Sequence, residues 1–235
     1  MAKIEGQFGS LEEAIASIQE QPPIRNISFE IEGVLTQVNF ADEGSWWADR
    51  DVDSITSSKD VKRLDLSSYI PPDVKVRTYS GMLGHYKYGL HFPAAETGKT
   101  SDGQILICIN PKIFDLSSGA LIFLHETGHA WDMKDAKYED AGKMYKLLRK
   151  NDQSLKRIEV EEALRKVRDS ENSAWQYSLA KYREIKASGF DLAPKMSEEE
   201  IDSYPQWTYD RFYNRELAPM IEYVGIEHKL LWEHN

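Results

Sequence analysis

The chain reads as an α+β fold: a small mixed β-sheet, then one buried helix, then a mostly helical C-terminal half. Three observations predict that order. β-like runs bounded by turn residues recur from Ile24 to Asn110. The last of them, the continuous apolar run from Gln104 to Asn110, leads into a helix-start signal at Asp115-Leu116-Ser117-Ser118. From Ser117 onward almost everything reads as helix, and from Val160 to Ile185 the apolar residues step by three and four, the helical period.

Residues 11–20 predict a short amphipathic helix ended by Pro22-Pro23. Ile24 to Ile31 and Val34 to Phe40 predict a hairpin split by Glu32-Gly33. Residues 41–69 are rich in Asp and Ser and show weak periodicity, which predicts loop with short helical turns. Trp46-Trp47 within them reads as a packed anchor. Val74 to Tyr79 follows Pro71-Pro72 as a strand, and residues 85–92 alternate as another. Pro93 to Gly103 is turn-rich. The helical half predicts breaks near Asn151, from Gly189 to Pro194, and near Tyr204-Pro205. The charged runs Glu198-Glu199-Glu200 and Lys134 to Lys150 read as solvated helix faces.

With 235 residues the chain can form one large domain or two small ones. Residues 1–100 form a β-containing region, in the same domain or beside it, and 101–235 the core with a helical extension. An apolar fraction of 41% with 29% charged residues fits a globular chain with a substantial core. A net charge of −10 argues against nonspecific nucleic-acid binding, which needs clustered Lys and Arg. Cys108 is the only cysteine, so neither an internal disulfide nor a Cys-rich zinc site is possible. Its apolar neighbours predict a buried, unreactive thiol. No apolar signal region opens the chain, and no stretch approaches the ~18 apolar residues of a membrane span. The expectation is a cytoplasmic protein with no membrane partner.

One motif carries chemistry. His125-Glu126-Thr127-Gly128-His129 is an H-E-x-x-H pattern continuing the apolar run Ala120 to Leu124. On a helix the two histidines lie one turn and about 40° apart, so both imidazoles can reach one metal ion. Glu126 lies about 60° round from His129, in place to act as general base on a zinc-bound water. A catalytic zinc site needs a third protein ligand and an open position. Helix phase points to Glu171. The downstream stripe runs Val160, Leu164, Val167, Ala174, Trp175, Ser178, Tyr182 and Ile185, and Glu171 fills its one gap in phase. A carboxylate there must be paired or bound to metal. The other readings of Glu171 are an ion pair with an arginine and an N-cap at a helix break near Ser170. Asp132 shares the face of His125 and His129, as a second-shell acceptor for an imidazole or as a ligand itself. Gly128 is placed to admit the helix that carries Glu171.

His-Glu-Thr-Gly-His-Ala-Trp-Asp at 125–132, followed by Glu171-Asn172-Ser173-Ala174-Trp175, resembles the gluzincin metallopeptidases. The H-E-x-G-H-A-x-D form is similar to anthrax lethal factor-like peptidases, and the strand-to-helix context to compact peptidases of the ImmA/IrrE type. The resemblance covers residues 104–188. It implies a zincin-like fold, one zinc ion held by His125, His129 and Glu171, and Glu126 as the catalytic base of a zinc metalloendopeptidase. It also implies a peptide or protein substrate lying along a strand, with Gln104 to Asn110 and Tyr86 to Phe92 as candidates. Two departures stand out. The third histidine of metzincins is missing, and no tyrosine matches the one that lethal factor-like enzymes carry just before their ligand glutamate. Tyr177, His85, His91 and His228 are the candidates for stabilising an oxyanion. The alternatives are a non-catalytic zinc-binding regulatory or interaction module, and a zinc hydrolase of nonprotein substrates.

Overall fold

A computed structural model describes residues 23–45, 48–78, 95–138, 140–150 and 155–225. Seven strands make one mixed sheet: β1 Ile24–Ile31, β2 Val34–Gly44, β3 Arg50–Lys59, β4 Lys62–Asp65, β5 Lys75–Thr78, β6 Ala95–Lys99 and β7 Ile105–Ile109. Their order is β1-β2-β3-β5-β7-β6, with β4 also paired to β3. β5 and β7 run parallel, and the other pairs are antiparallel. Five α-helices follow among the described residues: α1 Gly119–Lys134, α2 Ala141–Arg149, α3 Arg157–Ala187, α4 Glu198–Thr208 and α5 Asn214–Val224. The chain is thus a mixed α/β protein, sheet first and helices after, as its patterning predicts. The sheet runs unbroken from β1 to β7 across position 100. The expected helix at 11–20, the strand at 85–92 and Trp46-Trp47 lie outside the described residues.

The β1–β2 hairpin turns on Glu32 and Gly33, both at positive φ. That is the backbone a two-residue hairpin requires. Residues 41–69 are not the loop their composition suggests. β2 continues to Gly44, and β3 and β4 occupy 50–65. Their buried positions combine apolar side chains, Val38, Phe40 and Ile55, with hydroxyls that bond one another or the backbone. Thr36 Oγ1 bonds Ser57 Oγ at 2.8 Å, Asn39 Nδ2 donates to Ser54 Oγ at 3.0 Å, and the Ile55 amide donates to Ser67 Oγ at 2.8 Å. Buried positions filled by Thr56 and Ser57 are invisible to a hydrophobicity count.

Two helical expectations also shift. The run Lys134 to Lys150 is broken, because Ala136 and Tyr138 take left-handed backbone between α1 and α2. Conversely, α4 passes through Pro205 without ending. The irregularity comes four residues later, as a π-helical turn at Tyr209–Tyr213 that joins α4 to α5.

The core lies where α1 meets the sheet on one side and α3 on the other. Ile107 and Ile109 of β7, Leu121, Phe123 and Leu124 of α1, and Leu164 and Tyr182 of α3 are all fully or almost fully buried. A short 3₁₀ turn at Pro111–Asp115 feeds α1 at Gly119. A Cβ at Gly119 would stand 1.9 Å from the Ile113 carbonyl oxygen, so only glycine can make that entry.

Candidate metal centre

α1 is buried on nearly all sides, and His125, Glu126 and Asp132 are buried with its apolar residues. α3 crosses it at Gly128. A Cβ on Gly128 would lie 2.9 Å from both the Cα and the carbonyl oxygen of Ala174. The two backbones therefore approach as closely as a missing side chain allows. All nine residues of the predicted α3 stripe, Glu171 included, are buried. The helix is continuous through Ser170, so Glu171 is not an N-cap. Its ion-pair partners are the two histidines rather than an arginine.

The crossing brings three ligand atoms to one point. His125 Nε2 and His129 Nε2 are 3.2 Å apart. Glu171 Oε2 is 3.3 Å from His125 Nε2, and Oε1 is 3.4 Å from His129 Nε2. Zinc bonds of about 2.0–2.1 Å in a tetrahedron imply ligand separations of about 3.3–3.4 Å. The triangle therefore has the dimensions of one face of a tetrahedral zinc site. Its chemistry fits as well. Glu171 Oε2 is buried without a hydrogen-bond partner, and three lone-pair donors converge where only a cation can offset their repulsion. Among the described residues no fourth His, Cys, Asp or Glu joins the group.

A proton does part of the same work. Burial alone would depress the His129 pKa, but the Glu171 carboxylate, with Glu126 and Asp132, pushes it up to about 9. Burial likewise opposes ionisation of Glu171, yet the two imidazoles hold it well below the usual carboxylate range. The cluster is built around a positive charge.

Other residues orient these groups. Trp175 stacks on the His125 ring at 4.1 Å and 29°. Ser170 Oγ lies 3.5 Å from His129 Nδ1, the long end of hydrogen bonding. Thr97 on β6 places its hydroxyl 2.8 Å from Glu126 Oε2 and 2.9 Å from the Glu126 carbonyl oxygen. Tyr213, in the π-helical turn, hydrogen-bonds Glu171. Burial and the adjacent carboxylate raise its phenol well above the ordinary value, so it stays a donor.

The sequence singles out none of Thr97, Ser170 or Tyr213. Ser170 adjoins a predicted ligand, and helix phase alone could have flagged it. Thr97 and Tyr213 arrive from separate elements and leave no local signal. Asp132 is buried, but it makes no hydrogen bond to either imidazole. Its Oδ1 lies 3.9 Å from Lys137 Nζ and its Oδ2 has no partner. Tyr177 donates its hydroxyl to the Tyr69 carbonyl at 3.1 Å and is committed there. His85, His91 and His228 lie outside the described residues, as does Tyr86 to Phe92. The run Gln104 to Asn110 is not a free strand edge: its strand, β7, is paired on both sides, by β5 and β6. The described edge beside α1 is β6.

Cys108 is half-buried, and burial pushes its thiol up to about 11, so it stays protonated at neutral pH. No helix among the described residues is long and apolar enough to cross a membrane. Fold and site together define a mixed α/β protein with a buried two-histidine, one-glutamate group that could hold a metal ion. No family model, curated protein or solved structure matches the chain.

Proposed function

We propose that the protein is a zinc-dependent metallopeptidase of the gluzincin type, with His125, His129 and Glu171 as ligands and Glu126 as general base. The observation that carries this reading is the 3.2–3.4 Å triangle of ligand atoms with a carboxylate base on the same helix. Two imidazoles and one carboxylate suit zinc, and three protein ligands with an open position are the catalytic rather than the structural pattern. A bound zinc ion supplies a Lewis acid that polarises a carbonyl and acidifies a water to near neutrality.

The protein's own groups do the rest. Glu126 takes the proton of the attacking water and passes it to the leaving amine. Tyr213 holds Glu171 and stays protonated. Extended substrate adds to the edge of β6, where backbone groups pair without regard to side-chain identity. The fold's mixed sheet packed on α1 is compatible with a zincin, and the motif at 125–132 resembles that class.

The test is stoichiometric zinc analysis together with cleavage of a peptide library by wild type and Glu126→Gln. One zinc per chain, with cleavage falling about 10²-fold or more in Glu126→Gln, is the expected result. Wild type without bound metal, or a Glu126→Gln variant as active as wild type, refutes it.

A further inference from the structure

We infer that Thr97 is the positioning residue of Glu126, and that it ties the orientation of the base to the strand edge where substrate pairs. The inference rests on the metallopeptidase reading of the same site. Thr97 sits in the middle of β6, opposite Ile107 of β7, with its hydroxyl turned onto α1. A threonine hydroxyl carries one proton and two lone pairs. Two oxygens of Glu126 compete for that proton, Oε2 at 2.8 Å and the main-chain carbonyl at 2.9 Å. The carbonyl lies inside α1, where the helix already supplies a donor from four residues on. Among the described residues the carboxylate has no such second supply. A bond to an ionised carboxylate is also about twice as strong as one between neutral groups. The proton therefore belongs to Oε2.

The consequence is geometric. Glu126 is 7% exposed, and a glutamate side chain loses considerable rotamer freedom when held. Thr97 fixes the Oε2 oxygen of that carboxylate against β6. The strand that would receive substrate backbone is the strand that sets the base. Any shift of β6 as it pairs moves Thr97 and Glu126 together, so substrate register and base position are linked through one hydroxyl.

The experiment compares wild type, Thr97→Val and Thr97→Ser. Valine keeps the β-branched shape that suits a strand and removes only the hydroxyl. Zinc content and KM should match wild type in both variants. Thr97→Val should lower kcat about tenfold to a hundredfold, the range that a misplaced catalytic group costs, and Thr97→Ser should restore it to within about threefold. Crystal structures of the metal-loaded variants give a readout without substrate: Glu126 should leave its position beside β6 in Thr97→Val and keep it in Thr97→Ser. A Glu126 carboxylate that stays in place in Thr97→Val overturns the inference, and so does a Thr97→Ser variant as impaired as Thr97→Val. If wild type cleaves no peptide, the metallopeptidase reading fails, and the crystallographic comparison still decides the role of Thr97.

Discussion

Replacing Gly128 by alanine tests the central claim about the site, that its dimensions are set by one helix crossing. The added Cβ would stand 2.9 Å from the Ala174 Cα, 2.9 Å from its carbonyl oxygen and 3.1 Å from the Tyr177 Cβ. Two of those three atoms are backbone, so no rotamer change relieves the contact. α3 must move off by about 0.5 Å to reach ordinary van der Waals separation. Alanine in place of a helical glycine contributes about 1 kcal/mol of propensity. Overpacking costs about 1–3 kcal/mol, so the metal-free variant should be near neutral to about 2 kcal/mol less stable. The larger effect falls on the metal. Glu171 sits one turn from Ala174, and a 0.5 Å displacement would take its separations from the histidines beyond the tetrahedral edge of about 3.4 Å. Zinc affinity should fall roughly tenfold, by analogy with the loss of a group that orients a ligand. Urea denaturation of the metal-free protein and competition with a chromogenic chelator measure the two effects. A Gly128→Ala protein that gains about 1 kcal/mol and binds zinc as wild type does would show that the close crossing has no part in the site.

Other perturbations read the same site from different sides. The His129 pKa is raised from 6.5 to about 9 in the folded metal-free protein. Its contribution to stability is therefore complete below about pH 6.5 and lost as pH rises through about 9, which a series of denaturation curves over pH 6 to 10 would show. Glu171 is depressed, so its contribution is lost instead as pH falls below the ordinary carboxylate range. Glu171→Gln should abolish stoichiometric zinc at micromolar free metal, and retention of one zinc per chain would remove Glu171 from the ligand set. Tyr213→Phe deletes a hydroxyl bonded to Glu171. It should weaken zinc binding about tenfold in the same chelator assay, and unchanged affinity would show that the phenol does not orient the ligand.

What the sequence revealed of this site follows from how each residue reaches it. His125, Glu126 and His129 share one helix, so spacing alone places them. Glu171 lies on another helix but within a nine-position stripe of regular period. A buried carboxylate in such a stripe stands out because it breaks an apolar pattern without breaking its phase. Thr97 obeys no such rule. Its link to Glu126 depends on how β6 lies across α1, and a threonine in a strand is unremarkable in itself. Tyr213 lies beyond one further helix, α4, and its direction depends on the π-helical turn at Tyr209–Tyr213, where ordinary helix phase no longer applies. The sheet shows the same division. The β1–β2 hairpin is legible from its Glu32-Gly33 turn, whereas β3 hides behind buried Thr56 and Ser57.

Among the described helices α1 is also the one with the largest buried share, and that placement has a thermodynamic consequence. An apolar core helix would be more stable with leucines at 125, 126, 129 and 132 than with four ionisable groups. Without a cation, His129 must carry a proton into the interior to offset Glu171. A metal ion held by His125, His129 and Glu171 would replace that proton with a larger charge held by three atoms. Its binding free energy adds to folding as RT ln(1 + [L]/Kd), about 4 kcal/mol at a thousandfold excess over Kd. The polar residues that weaken the core of the metal-free protein are therefore the ones that would strengthen a metal-bound core. On the proposed reading, folding and metal loading would be coupled through the same helix, and the Gly128 crossing would set how closely the two can be satisfied together.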